Sequence, residues 1–266
     1  ASTDDFYVVF QGKSQQTVRH PANTALEATS GTFSGALSMG SISGGIPNLV
    51  RVQTFTADGT YTKSSGATKA LVYVVGGGGG GGGVDGQGSG NTGVGGGGGA
   101  GGMAIKLITS GLGDTETVTI GSGGGGGAGS GGSTGSTGGS SSFGSHCSAA
   151  GGSGGGGQTA SVPSNTNIRV GGDGGVGSNG DTNTKGQPGQ PGIAGGTSTS
   201  ESIGGAGGMS MFGGGAKGKQ GDQSGEDCDD LTQAGSGGGG ACNTNTSDNY
   251  AGGDGANGIV VVYEYL

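Results

Sequence analysis

The chain contains no tryptophan, five prolines and three cysteines among 266 residues. Aromatic residues are 5%, charged residues 11% and apolar residues 28%, against ~45–50% apolar in an ordinary domain. Each shortage excludes something. A conventional side-chain core for a chain of this length is unavailable. The disordered alternative needs high net charge, and a net charge of −8 gives only weak self-repulsion. Too few prolines and no sustained Gly-X-Y period exclude collagen. No run of 18 apolar residues exists, so no membrane insertion is expected. The isoelectric point of about 4.5 leaves no basic stripe for nucleic acid. Three cysteines build no disulfide framework. Cys147 is isolated, while Cys228 and Cys242 flank Gly237–Gly240 and are read as free thiols with their pairing left open. The start, Ala-Ser-Thr-Asp-Asp, is neither basic nor apolar, so cytosolic synthesis without a secretory leader is expected.

What is abundant is glycine, 78 residues. Ala70 to Val75 read Ala-Leu-Val-Tyr-Val-Val and run into eight glycines. The chain ends on a second strand-like run, Ile259 to Tyr265. A flexible linker does not need a matched strand at each end. Glycine loses the most entropy on ordering, so folded tracts require compensation. Extended helices of polyproline II type can supply it, because chains without side chains approach closely and bond to one another through backbone groups.

The expected fold is all-β and irregular: a small strand base closed by N- and C-terminal strands, plus packed polyglycine II-type helices carrying polar loops. Residues 1–48 read as a β-rich anchoring or oligomerising module, with Phe6–Phe10 a strand and 40–47 a linker. Residues 49–266 form the glycine-rich domain. Leu49–Thr56 alternates as a half-buried strand, Lys69–Val75 is the next, and 103–108 with 116–120 reads as a hairpin about the turn residues Gly111–Asp114. Glycine tracts at 76–83, 95–102, 121–127, 151–157, 171–177, 204–208, 213–215, 235–240 and 252–255 are read as rods. The polar connectors between them are read as loops, and Gly125→Val is expected to force neighbouring rods apart.

Motifs for chemistry are weak. The Gly-x-Gly-x-x-Gly matches have no following helix and are accidents of composition. His20 and His146 have no partners at zinc spacing, and no nucleophile elbow is present. Asp222, Glu226, Asp227, Asp229 and Asp230 form one acidic run. Calcium would suit such oxygens, but the spacing is not that of an EF-hand, and a solvated loop is favoured. No catalytic residue, metal or cofactor is expected, and the chain is read as a non-enzyme. Met209, Met211 and Phe212 form an apolar group between glycine tracts, either satellite core or exposed contact. Tyr250 suits a sugar or protein surface.

Val52–Gly83 with its Thr-Phe-Thr-Ala-Asp-Gly-Thr-Tyr segment, then Gly101–Ala104, Val118–Gly121, Ser141–Gly144, Gly174–Asp181, Gly204–Gly215 and Gly253–Val262, together resemble the glycine-rich domain of bacteriophage tail fibres and related virion adhesins. The resemblance covers about 49–266. It implies a host-recognising tip on the virion surface that binds a bacterial surface glycan or outer-membrane protein through variable loops. It also implies attachment to other virion fibre or capsid proteins, as a homotrimer or as a single tip on a trimeric fibre. Rods leaving the strand base must turn at the far end, so the expected contact residues lie in connectors: Asp85, Gln87, Asn91, Asn165, Asn167, Asn245, Asp248 and Tyr250, the first three facing outward. The alternatives are a structural glycine-rich virion or matrix protein without a receptor, an ice-binding protein, for which regular Thr repeats are lacking, and a depolymerase spike, which needs a carboxylate pair.

Overall fold

A computed structural model describes residues 49–88, 90–159, 166–195, 202–228, 232–244 and 246–266, all inside one compact unit, Ile46–Leu266. The module and linker expected in 1–48, with His20, lie outside the described residues. The described chain is all-β, with no helix assigned. Its strands are β1 (Leu49–Phe55), β2 (Gly59–Thr62), β3 (Lys69–Val75), β4 (Thr92–Val94), β5 (Met103–Ile108), β6 (Thr115–Thr119), β7 (Ser141–Phe143), β8 (Cys147–Ala149), β9 (Thr166–Arg169), β10 (Gly177–Ser178), β11 (Thr182–Thr184), β12 (Gly192–Gly195), β13 (Ser202–Ile203), β14 (Cys242–Thr244) and β15 (Ile259–Tyr265).

Two five-stranded sheets, β1-β15-β3-β5-β11 and β10-β8-β7-β6-β2, form the base. The valine-rich strands β3 and β15 pair antiparallel from Ile259↔Val75 to Tyr265↔Lys69, as the matched ends of the chain require. Period-two alternation puts Ala70, Val72, Val74, Val260 and Val262 on the inner face. They meet Tyr61, Val118, Phe143, Cys147 and Ala149 from the second sheet. Among the described residues this is the larger of two side-chain cores. It is crossed by a polar tie: the buried Glu264 of β15 accepts hydrogen bonds from Tyr61 Oη at 2.6 Å, Ser64 N at 2.9 Å and Ser64 Oγ at 2.6 Å.

Two expectations for the base are corrected. Among the described residues the sheets are open, not closed: β1 and β11 are the edges of one, β10 and β2 of the other. The strands near 103–108 and 116–120 do not form a hairpin. β5 pairs with β3 and β11, whereas β6 pairs with β2 and β7. The connector crosses between layers because each sheet needs its own apolar face, with Ala104 and Ile108 on one side of the core and Val118 on the other.

The glycine tracts leave this base as extended chain, and the helices expected there are not seen as assigned elements. Successive segments run away from the sheets and back. Their backbone groups bond between segments with a spacing of three residues. Gly76, Gly79 and Gly82 donate to Gly102, Gly99 and Gly96; Gly77, Gly80 and Gly83 donate to Gly139, Ser136 and Ser133; Gly78, Gly81 and Val84 donate to Ala256, Gly253 and Tyr250. The carbonyls of the same tract accept from 124–127, 152–158 and 238–241. The tract 76–84 thus sits inside six neighbours, bonded on every side. The tract 95–102 is similarly enclosed. It donates to 235–241, 150–156 and 187–190, and accepts from 76–82, 172–175 and 205–208.

Side-chain absence is obligatory at many of these positions. A Cβ on Gly79, Gly80 or Gly81 would lie against the carbonyl of Ser153, Gly125 or Gly239, respectively. Gly125 is different: it is exposed, and an added Cβ would meet nothing nearer than Asp254 Oδ1 at 3.9 Å. The expected clash of Gly125→Val is therefore corrected, since that glycine faces outward from the array.

The three cysteines are free, and Cys228 does not pair with Cys242. Burial pushes all three thiols up to about 11, which leaves roughly one thiolate in ten thousand at pH 7. Native protein is expected to react with a disulfide-exchange reagent far more slowly than denatured protein, which should titrate to three thiols. Rapid native labelling of Cys228, the least buried, would show that this burial does not hold in solution.

Candidate functional site

The ends of the glycine segments farthest from the sheets carry a second, smaller cluster of strands. β4 pairs with β14, from Val94↔Cys242 to Thr92↔Thr244. β12 pairs with β9 and β13. Val94, Ala194 and Cys242 join the two small sheets in a compact apolar contact. These strands are too short and too polar to announce themselves: Thr-Gly-Val, Cys-Asn-Thr and Gly-Ile-Ala-Gly have little alternation to read.

The connectors 84–94 and 243–250 are stitched together at this end. Gln87 N and Gly88 N donate to Thr246 O at 2.9 Å, and Gly86 N donates to Asn249 Oδ1 at 2.8 Å. Asn243, fully buried, donates through Nδ2 to Asp248 O at 2.7 Å and to Thr246 O at 3.2 Å. Gln158 arrives at the same place, with Val84 bridging to both Gln158 and Tyr250. Its Oε1 accepts from Val94 N at 3.2 Å.

The candidate residues divide accordingly. Asp85, Asn91 and Tyr250 are half-buried and Asp248 is exposed, all within this cluster. Gln87 does not face outward, as expected from its polar connector: it is buried, because its Nε2 folds back onto Asp85 O at 2.8 Å. Asn167 is buried as well, on the inner face of β9. Asn165 and Asn245 lie outside the described residues. Met209, Met211 and Phe212 are exposed and so are not satellite core. They sit at the other end of the segments, where Met209 and Met211 border a groove of about 390 Å³ with Met103 and Thr184. They are not part of the distal cluster.

Two features of this end escape a reading of the sequence. The first is a row of isoleucines. Ile193 pairs with both Ile203 and Ile168, so the three side chains share one face of the small sheet. That face is outward, with exposures of 56% for Ile168, 45% for Ile193 and 48% for Ile203. Val170, 72% exposed, follows in the chain. The only sequence signal is a lone β-branched residue in each of three polar segments. The second feature is the opposite face. Asn167 and Ser202 flank Ala194 in register and point inward. Asn167 Nδ2, Ser202 Oγ, Gln158 Nε2, Gln87 Oε1 and Arg169 Nε are buried without a hydrogen-bond partner. Each such atom costs about 1–3 kcal/mol unless water or a ligand meets it. This small sheet therefore carries isoleucines on its outer face and unpaired polar atoms beside Ala194 on its inner face.

The described members of the acidic run, Asp222, Glu226 and Asp227, do not converge on one point. Asp222 Oδ1 accepts from Thr244 N and Oγ1, Glu226 pairs with Lys219 at 3.0 Å, and Asp227 Oδ1 accepts from Asp254 N. Asp229 and Asp230 lie outside the described residues, and no group of metal-ligating side chains occurs among the described ones. His146 is engaged with Glu116 at 3.1 Å in the base.

A family model described as a glycine-rich domain matches residues 53–265. The match carries no indication of a tail-fibre origin. No curated protein matches the chain.

Proposed function

This chain belongs to the glycine-rich domain family, and we propose that it is a virion adhesin, a tail-fibre or spike tip that binds a bacterial surface receptor without covalent chemistry. The observation that carries the reading is the gathering of connectors 84–94 and 243–250, with β9, β12 and β13, at the end of the glycine segments away from the sheets. Loops held by a rigid scaffold are the usual carriers of recognition. The scaffold here is rigid because its backbone groups are bonded in every direction across the segments. In this reading the tracts are packed rods of polyglycine II type. The three-residue spacing of their hydrogen bonds supports that, since such rods have three residues per turn. High-resolution density should show the tract glycines near φ −75°, ψ +145° within about 20°; scattered dihedrals would reject the rods.

The receptor contacts would be Asp85, Asn91, Asp248 and Tyr250 at the loop cluster, together with the isoleucine row. Exchanging 85–91 and 245–249 for unrelated sequences of equal length is expected to abolish adsorption to the original host. Ile193→Lys is expected to lower adsorption at least about tenfold with a stability change of no more than about 1 kcal/mol, because its side chain is about half in solvent. The measurement is binding of labelled protein to whole cells beside a melting curve. Unchanged adsorption in all these variants would move the receptor surface elsewhere on the chain.

A further inference from the structure

Strand β1 differs from every other strand at a sheet edge. It has seven residues, whereas the edge strands β2, β9, β10, β11 and β13 have two to four. Short edges resist pairing with other chains, and long apolar ones invite it. β1 reads Leu-Val-Arg-Val-Gln-Thr-Phe, with one charge, and Leu49, Val50 and Val52 are exposed to 51%, 38% and 44%. The opposite edge of the same sheet is protected. There β11 is short, and the Asp181 carboxylate beside it accepts from Leu107 N at 2.8 Å and Lys106 Nζ at 3.0 Å. Val52 also opens a row across the outer face of the sheet, through Tyr263 and Leu71 to Leu107, fixed by register. Leu107, at the far end of that row, is 47% exposed.

We propose that β1 pairs antiparallel with β1 of a second copy of this chain, about a two-fold axis at Val52. In that register Arg51 faces Gln53 of the other copy, and the irregularity at Val50, where the pairing with β15 shifts, confines the regular ladder to the residues about Val52. No like charges oppose, and the guanidinium meets an amide oxygen able to accept from it. The strand thus sets no like charge against itself, as pairing between identical chains requires. The two sheets become one, and the row Val52–Tyr263–Leu71–Leu107 continues into its mate. The blunted β11 edge stops further growth, so the product is a closed pair rather than a fibre. A strand about 23 Å long buries less than the ~1,600 Å² of a standard stable interface, so association falls in the micromolar range and depends on concentration. None of this rests on the adhesin reading.

Sedimentation of the full chain across micromolar concentrations is expected to show a monomer–dimer equilibrium. Val52→Lys sets two ammonium groups opposite each other at the axis and is expected to weaken the dimer at least about tenfold, with the melting temperature unchanged. Leu107→Lys, on the same face but away from the edge, is expected to leave the dimer intact. Val52→Cys is expected to give an interchain disulfide on mild oxidation, and Thr60→Cys on the β2 edge none. A chain that stays monomeric, a trimer, or a dimer indifferent to Val52→Lys and uncrosslinked by Val52→Cys overturns the proposal. So does a dimer lost to Leu107→Lys, which would indicate packing face to face.

Discussion

Gly80→Ala is expected to destabilise the protein by more than about 4 kcal/mol, beyond the usual range of a single substitution, and to leave little folded chain. The added methyl would lie against the Gly125 carbonyl, which is backbone and cannot rotate away. Shifting the tract to make room breaks the bonds that hold it. Gly80 N donates to Ser136 O at 2.9 Å, and Gly80 O accepts from Gly155 N at 2.9 Å. A displacement at Gly80 is therefore felt by segments on more than one side. Gly125→Ala is the control. It adds the same methyl into open space and restricts the unfolded chain, so a gain of about 0.4–1 kcal/mol is expected if its backbone suits alanine. Thermal or urea denaturation of the two variants decides the matter. Equal melting temperatures would mean that the close approach at Gly80 is not maintained in solution.

The second large effect is expected at Glu264. Burial raises its carboxyl pKa. The hydrogen bonds from the Ser64 hydroxyl, the Tyr61 hydroxyl and the Ser64 N–H outweigh that and hold it below its ordinary 4.5. The group is fully buried and ties one base sheet to the other. Glu264→Leu leaves the Tyr61 hydroxyl and the Ser64 donors without an acceptor, at a cost of about 3 kcal/mol or more. Because the folded pKa is lowered, the contribution is fully present above the unfolded value of 4.5. It is lost as pH falls through the lower folded value. Stability should thus decline as the medium is acidified below about pH 4.5, with part of that decline assigned to this residue. Glu264→Gln keeps the shape and removes the titration, so its stability should be lower at neutral pH and flatter in acid. Parallel acid profiles for wild type and Glu264→Gln would rule out this role for the carboxylate. Tyr61 moves the other way: burial and the neighbouring Glu264 raise its hydroxyl pKa, so it stays a donor throughout.

The parts of the fold that were legible are those whose residues carry a pattern. β3 and β15 are dense runs of valine and aromatic residues at the ends of the glycine body, so both their existence and their pairing could be read. The parts that were not legible have no such pattern. Gly80 and Gly125 are the same residue in similar runs, and only the identity of the neighbour decides which one tolerates a side chain. Gln87 belongs to a polar connector and reads as solvent-facing, yet the Asp85 carbonyl draws it inward. The isoleucine row was hidden because its members are far apart in sequence, and only the register of β9, β12 and β13 aligns them. The false hairpin had real turn chemistry at Gly111–Asp114. A turn signal says that the chain changes direction, and does not say whether it returns to the same sheet.

The three-residue spacing of the inter-segment bonds also constrains how the gene can vary. Within 76–84 an interior residue donates to one neighbour and accepts from another, and that pair of neighbours recurs only three residues later. Removing one residue would turn every later residue toward the wrong segment, on all sides at once. Removing three, or nine nucleotides, restores the rotation and shortens the tract by one repeat. Tract length is therefore quantised in threes, while the connectors at the ends obey no such rule and are free to gain or lose single residues. A body built this way separates what can drift from what cannot along its own axis, and leaves sequence novelty to collect at the turns.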